Sequence, residues 1–141
     1  MSRRYGDDFG FASYDPRWVE SLARTVAGLR TITPVLALGP IPDPHGNVPT
    51  CLSEHLATAT ACAPTRGAGL DDAGIAAEEE AVTAGGGEYA DLADLFCTAD
   101  RCPVIVGNTL VFRDDNHVTV EYATLLGPVL SALVDESLPG G

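Results

Sequence analysis

The apolar positions of this chain fall into two periods, and the switches between them mark out the elements. Val19, Leu22, Val26 and Leu29 recur at i, i+3, i+7 and i+10, which is one face of a helix. Asp15 and Pro16 before them suit an N-cap and a first-turn proline, so a helix is predicted from there to about Arg30. After Thr33-Pro34 comes a short continuous apolar run, Val35-Leu36-Ala37-Leu38, closed by Gly39-Pro40; such a run suits a parallel strand covered on both faces. The Pro- and Gly-rich stretch from Ile41 to Pro49 is a loop. It sits at the C-terminal end of the strand, where open α/β sheets place their ligand crevices.

Residues 51–57 make one or two helical turns, and 63–71 reads as loop. Asp72 to Ala84 has helical composition, with Glu78, Glu79 and Glu80 as a solvated face, and Gly85-Gly86-Gly87 ends it. A second short strand is predicted at Tyr89–Leu92. Val104–Val106 and Thr109–Phe112 flank Gly107-Asn108, a hairpin signal. The last helix starts near Thr119, a capping residue, with Tyr122, Leu125, Leu126, Val129 and Leu133 as its apolar stripe and Pro128 inside it. Residues 1–14 are an irregular lead-in and 136–141 a flexible tail.

Composition agrees with one loop-rich layered domain: 141 residues, 45% hydrophobic, with 15 Gly and 10 Pro. Charge narrows the partners. Eight Arg residues, with no Lys, are scattered among twenty acidic residues for a formal net charge of −12. The basic stripe that neutralises phosphates is missing, so nucleic acid is not an expected partner. No apolar run approaches the ~20 residues of a membrane-spanning helix. The opening Met1-Ser2-Arg3-Arg4 lacks the apolar region of a signal peptide, so export would depend on an upstream segment.

The four cysteines form two sequence-local pairs, Cys51 with Cys62 and Cys97 with Cys102. Zinc knuckles use C-x₂₋₄-C pairs, a spacing that suits the second pair and not the first. Two local disulfides in an oxidising compartment are favoured over zinc and over four unpaired thiols.

Among three histidines, His117 has the setting chemistry needs. It lies on a polar turn before a helix, with Asp114 three positions earlier. In a tight turn Asp at i reaches the Nδ1–H of His at i+3, which fixes the tautomer and leaves Nε2 as a general base. A solvated acidic turn explains the same four residues without chemistry. His45 lies in the loop after the first strand, facing a possible acyl or sugar pocket or simply solvent; His55 reads as a helix-surface residue and Trp18 as a packing residue. Asp114, Asp115 and Asn116 together offer too few oxygens for calcium, and no metal is expected.

Several segments together resemble the SGNH domain of OafA/OatA-like polysaccharide O-acyltransferases of actinobacterial type. They are Gly39-Pro40-Ile41-Pro42-Asp43-Pro44, Val48-Pro49-Thr50-Cys51-Leu52-Ser53, Asp91-Leu92-Ala93-Asp94-Leu95-Phe96-Cys97, and Arg101-Cys102-Pro103-Val104-Ile105-Val106-Gly107-Asn108 leading into Arg113-Asp114-Asp115-Asn116-His117-Val118-Thr119. The resemblance runs from about Val35 to Val134 and is weaker over the opening helix. It implies an α/β three-layer flavodoxin-like SGNH fold with a parallel sheet, carried here as the C-terminal part of a single domain over 1–141. It also implies a Ser-His-Asp triad whose His and Asp are His117 and Asp114, no cofactor, and both disulfides in a cell-envelope setting. The partners implied are an acyl donor, a carbohydrate acceptor and an upstream membrane acyltransferase domain. In that family the nucleophilic Ser sits in a G-D-S block after the first strand, whereas Ser2, Ser13 and Ser21 have no strand-turn context. An N-terminally truncated copy, inactive on its own, is therefore expected. An esterase of the same fold and an inactive remnant are the alternatives.

Overall fold

The computed structural model describes residues 16–137. The expected N-cap Asp15, the lead-in 1–14, Ser2, Ser13 and the tail beyond 137 lie outside them. Helix α1 spans Pro16–Arg30 and buries Val26. Strand β1 is Leu36–Leu38, followed by helix α2 (Val48–Glu54), a 3-10 turn at Ala59–Cys62 and the single-turn helix α3 (Arg66–Gly69). Helix α4 covers Asp72–Ala84, strand β2 Glu88–Ala90 and helix α5 Ala93–Phe96. The hairpin β3 (Ile105–Val106) and β4 (Thr109–Leu110) precedes the last helix, α6 (Val120–Ser137).

β1 and β2 pair in parallel, Leu36 opposite Glu88, Ala37 opposite Tyr89 and Leu38 opposite Ala90. Backbone bonds from Glu88 N–H to Val35 O (2.9 Å) and from Gly39 N–H to Ala90 O (2.8 Å) extend the ladder at both ends. Parallel strands need a crossover, and α2, α3 and α4 supply it. α4 packs on β2 and α1 packs on α4. The chain is thus α/β with a parallel sheet, of two strands among the described residues.

The glycines after α4 permit that stacking. A Cβ on Gly85 would stand 2.7 Å from Ala23 O and 2.8 Å from Val26 Cβ, and one on Gly87 would stand 2.8 Å from Val26 Cγ1. Gly86, at φ +80°, turns the chain into β2.

The main core gathers Val48, Ile75, Phe96, Val104, Val111, Phe112 and Tyr122, which are buried together. Tyr122 carries α6 into it: its hydroxyl donates to Leu95 O at 2.5 Å and its ring tilts against Phe96 with centroids 5.5 Å apart. Cys51–Cys62 joins α2 to the 3-10 turn, and Cys97–Cys102 closes the loop between α5 and β3.

Several expectations need correction. The β1 run is not covered on both faces, since Leu38 is 51% exposed at the edge of a narrow sheet. α2 begins at Val48, inside the stretch expected to be loop, because Asn47 Oδ1 accepts from Thr50 N–H (3.0 Å) and proline is tolerated in a first turn. On α6, Leu125 and Val129 face outward, and Leu126, Leu130 and Leu133 pack on the core with Tyr122. Glu136 and Ser137, expected in the tail, are the last helical residues.

Candidate functional site

The segment after β4 stays tied to the hairpin. Thr119 N–H bonds Val111 O and Arg113 N–H bonds His117 O, both at 2.9 Å, and Phe112 bridges Val118 antiparallel. Residues 113–117 are thereby thrown out as a closed turn on a buried base, because Val111 and Phe112 are almost wholly buried. Thr119 locks the exit: its hydroxyl donates to Leu110 O (2.5 Å) and accepts from Tyr122 N–H (3.1 Å), capping α6.

Within the turn, Asp114 uses both carboxylate oxygens. Oδ1 accepts from the backbone N–H groups of Asn116 (2.9 Å) and His117 (2.7 Å), and Oδ2 lies 2.8 Å from His117 Nδ1. The two backbone bonds anchor the carboxylate so that its second oxygen meets the ring three residues on. A carboxylate only accepts, so Nδ1 carries the proton and Nε2 is the basic nitrogen. The His117 side chain is 56% exposed and Asp114 31%, which leaves Nε2 open to an incoming group.

The Asp114 carboxyl is held down from 3.8 to about 2, first by the Asn116 backbone bond, against a desolvation that raises it, and then by the backbone and ring bonds and positive charge of His117. Arg113 Nε stands 3.6 Å from Oδ2 on an exposed side chain, where an ion pair adds little. Asn116 Oδ1 is buried without a hydrogen-bond partner among the described residues. Among the described residues no group of three or more His, Cys, Asp or Glu side chains forms a metal site.

The turn is braced against the start of α2, since Val48 N–H donates to Asp114 O at 3.3 Å. Val48 also lines a cavity of about 350 Å³ together with Pro44, His45, Ala61, Pro64 and the Cys51–Cys62 disulfide. Of the expected site residues, the structure therefore joins Asp114 to His117 directly and sets His45 in a separate hollow that shares Val48 as a wall. His45 has a left-handed backbone, φ +60°. Its N–H bonds Asp43 Oδ1 (2.7 Å) and its Nε2 bonds Ala68 O (2.7 Å). His55 is the exposed C-cap of α2.

One residue expected at the surface is not there. Glu78 is 6% exposed and meets Trp18 Nε1 at 3.3 Å and the Tyr89 hydroxyl at 3.5 Å, clasping α1, α4 and β2. The sequence held a signal for this, because Glu78 falls on the same helical stripe as the buried Ile75 and Val82.

The chain matches the family described as SGNH domain (fused to AT3 domains) over residues 2–132. It belongs to that family. The match takes in α1, beyond the stretch from Val35 that carried the resemblance. Among curated proteins and among solved structures, none matches the chain. The SGNH assignment supports acyl-transfer or ester-hydrolysis chemistry, and the fusion partner of the family associates that chemistry with an acyltransferase domain. Among the described residues no helix is long and apolar enough to cross a membrane.

Proposed function

We propose that this SGNH domain works as an O-acyltransferase on carbohydrate hydroxyls of the cell envelope, of the OafA/OatA-like kind, alongside a membrane acyltransferase domain and outside the cytoplasm. The parallel β1–β2 crossover, with α4 packed on β2 and α1 on α4, supports membership in a three-layer flavodoxin-like sheet. The observation that carries the reading is the 2.8 Å contact between Asp114 Oδ2 and His117 Nδ1, made by a carboxylate already fixed by two backbone N–H groups.

In this reading His117 Nε2 takes the proton of a serine hydroxyl as that oxygen attacks the donor's acyl carbon. The imidazolium, oriented and stabilised by Asp114, then returns the proton to the departing alcohol. A sugar hydroxyl repeats the exchange on the acyl-serine: His117 removes its proton, the serine oxygen leaves, and the proton goes back to serine. Water in place of the sugar gives the esterase reaction. The serine comes from outside the described residues, within which no serine hydroxyl bonds His117 and Ser53 Oγ donates to Thr50 O at 2.7 Å.

The test is turnover of p-nitrophenyl acetate by the full gene product. His117→Ala should abolish it, and Asp114→Asn should lower it by up to ~10⁴-fold, since an amide holds the imidazole in the wrong tautomer. Asp115→Asn, with the wrong spacing, should have a far smaller effect. Equal losses at Asp114 and Asp115, with melting temperature unchanged, would overturn the assignment.

A further inference from the structure

The cavity beside the dyad is built in a way that the proposed chemistry has not used. We infer that it seats one neutral sugar ring of the acyl acceptor, with His45 reading a ring hydroxyl. The inference deepens the proposed function and rests on it for its link to acyl transfer; the binding itself is a separate physical claim.

Four observations converge on it. His45 sits at φ +60°, a backbone region that few residues with a Cβ occupy, histidine among the more frequent of them. Its ring is nevertheless held, by Nε2 on Ala68 O at 2.7 Å, while its N–H is held by Asp43 Oδ1 at 2.7 Å. A carbonyl oxygen only accepts, so Nε2 carries a proton, and in the neutral ring Nδ1 remains as an acceptor with no bond of its own among the described residues. The held ring thus leaves one acceptor on the exposed side chain of a residue that lines the hollow.

The rest of the lining selects what that acceptor meets. Pro44, Val48, Ala61, Pro64 and the Cys51–Cys62 disulfide offer small apolar surface, Thr65 adds a hydroxyl, and no Lys, Arg, Asp or Glu takes part. A phosphate or carboxylate would find no cation here. An acyl chain would cover the imidazole acceptor with hydrocarbon and leave it unpaired. A pyranose answers both halves, because its C–H face lies on proline and alanine while its hydroxyls donate. At about 350 Å³ the hollow is near the lower end of ligand-pocket sizes, ~300–1,000 Å³, and suits one ring rather than a chain of them. Val48, which lines the hollow and donates to Asp114 O, places a sugar held here next to the turn that carries His117.

The experiment is a titration of the ¹⁵N-labelled chain with methyl β-D-glucopyranoside, followed by amide shifts, with hexanoate as the contrasting probe. The sugar should move the amides of His45, Ala61 and Thr65, and hexanoate should not. His45→Gly, which frees the backbone and deletes the ring, should weaken binding at least tenfold. Ala61→Phe, at an exposed position on the rim, should block it while the dispersed spectrum is kept. Shifts confined to other residues, no shifts, equal affinity in His45→Gly, or hexanoate binding in place of sugar would each overturn the inference. Sugar binding here without His117-dependent turnover in the full gene product would sink the proposed function and leave this site standing. His117-dependent turnover without sugar binding would do the reverse.

Discussion

At the scale of single residues, the Asp114–His117 pair is governed by a turn only five residues long, and the electrostatics follow from it. Asp114 is lowered to about 2 from 3.8, so the native state binds this proton less tightly than the unfolded chain does. The stability it contributes is fully present above about pH 4 and is lost as pH falls through about 2. A carboxyl ¹³C titration should place the Asp114 midpoint near 2, and the stability gap between parent and Asp114→Asn should close over the same window. A midpoint at or above 3.8 would mean that the two backbone bonds and the ring bond do not form. This part of the site was legible in the sequence because the interaction is local: D-x-x-H carries both partners and their spacing. The posture of His45 was not, since its ring is held by Ala68 O, 23 residues away, a contact with no local signature.

At the scale of elements, legibility follows length and the number of faces buried. α1 was readable because its apolar residues recur along one helical face, and α4 because its composition is helical and three glycines close it. α3 and α5, at four residues each, are too short to show a period; α5 is set by Asp91 Oδ1 accepting from Ala93 N–H at 2.8 Å. Glu78 was misassigned because a run of three acids suggests solvent, whereas its burial is decided by Trp18 and Tyr89, which reach it from two other elements. The α1–α4 contact makes its own prediction. A Cβ at Gly85 would approach the Ala23 carbonyl to 2.7 Å, and backbone cannot swing aside as a side-chain tip can. Gly85→Ala should therefore cost about 1–3 kcal/mol, read as a lower urea midpoint at unchanged slope. Gly28→Ala, with open space around it, should stabilise or be neutral, since alanine is the better helix former. Equal effects at the two positions would show that the helices are not in contact there.

At the scale of the whole molecule, the question is what holds together a chain with a formal charge of −12, a narrow parallel sheet and many loops. The apolar core on Phe112 and Tyr122 supplies one answer and the two disulfides another, since they tie α2, the 3-10 turn and the α5–β3 loop, the segments with the least regular structure. The closed loops differ in length, with sequence separations of 11 and 5. In the chain-entropy account the longer contributes about 3 kcal/mol and the shorter about 2. Domains of this size have only ~5–15 kcal/mol in total, so losing both bonds would remove much of the margin. The paired variant Cys51→Ala/Cys62→Ala should lower urea stability by about 3 kcal/mol and also loosen the cavity wall beside His45. The pair Cys97→Ala/Cys102→Ala removes the shorter cross-link yet empties more of the core, because Cys102 is 1% exposed. Its loss should therefore exceed the loop-entropy figure of about 2 kcal/mol, with the excess persisting when parent and variant are compared under reducing conditions. A stability unchanged by reductant in the parent, with four titratable thiols in the native protein, would refute the disulfide frame and, with it, the fixed wall against which His45 is set.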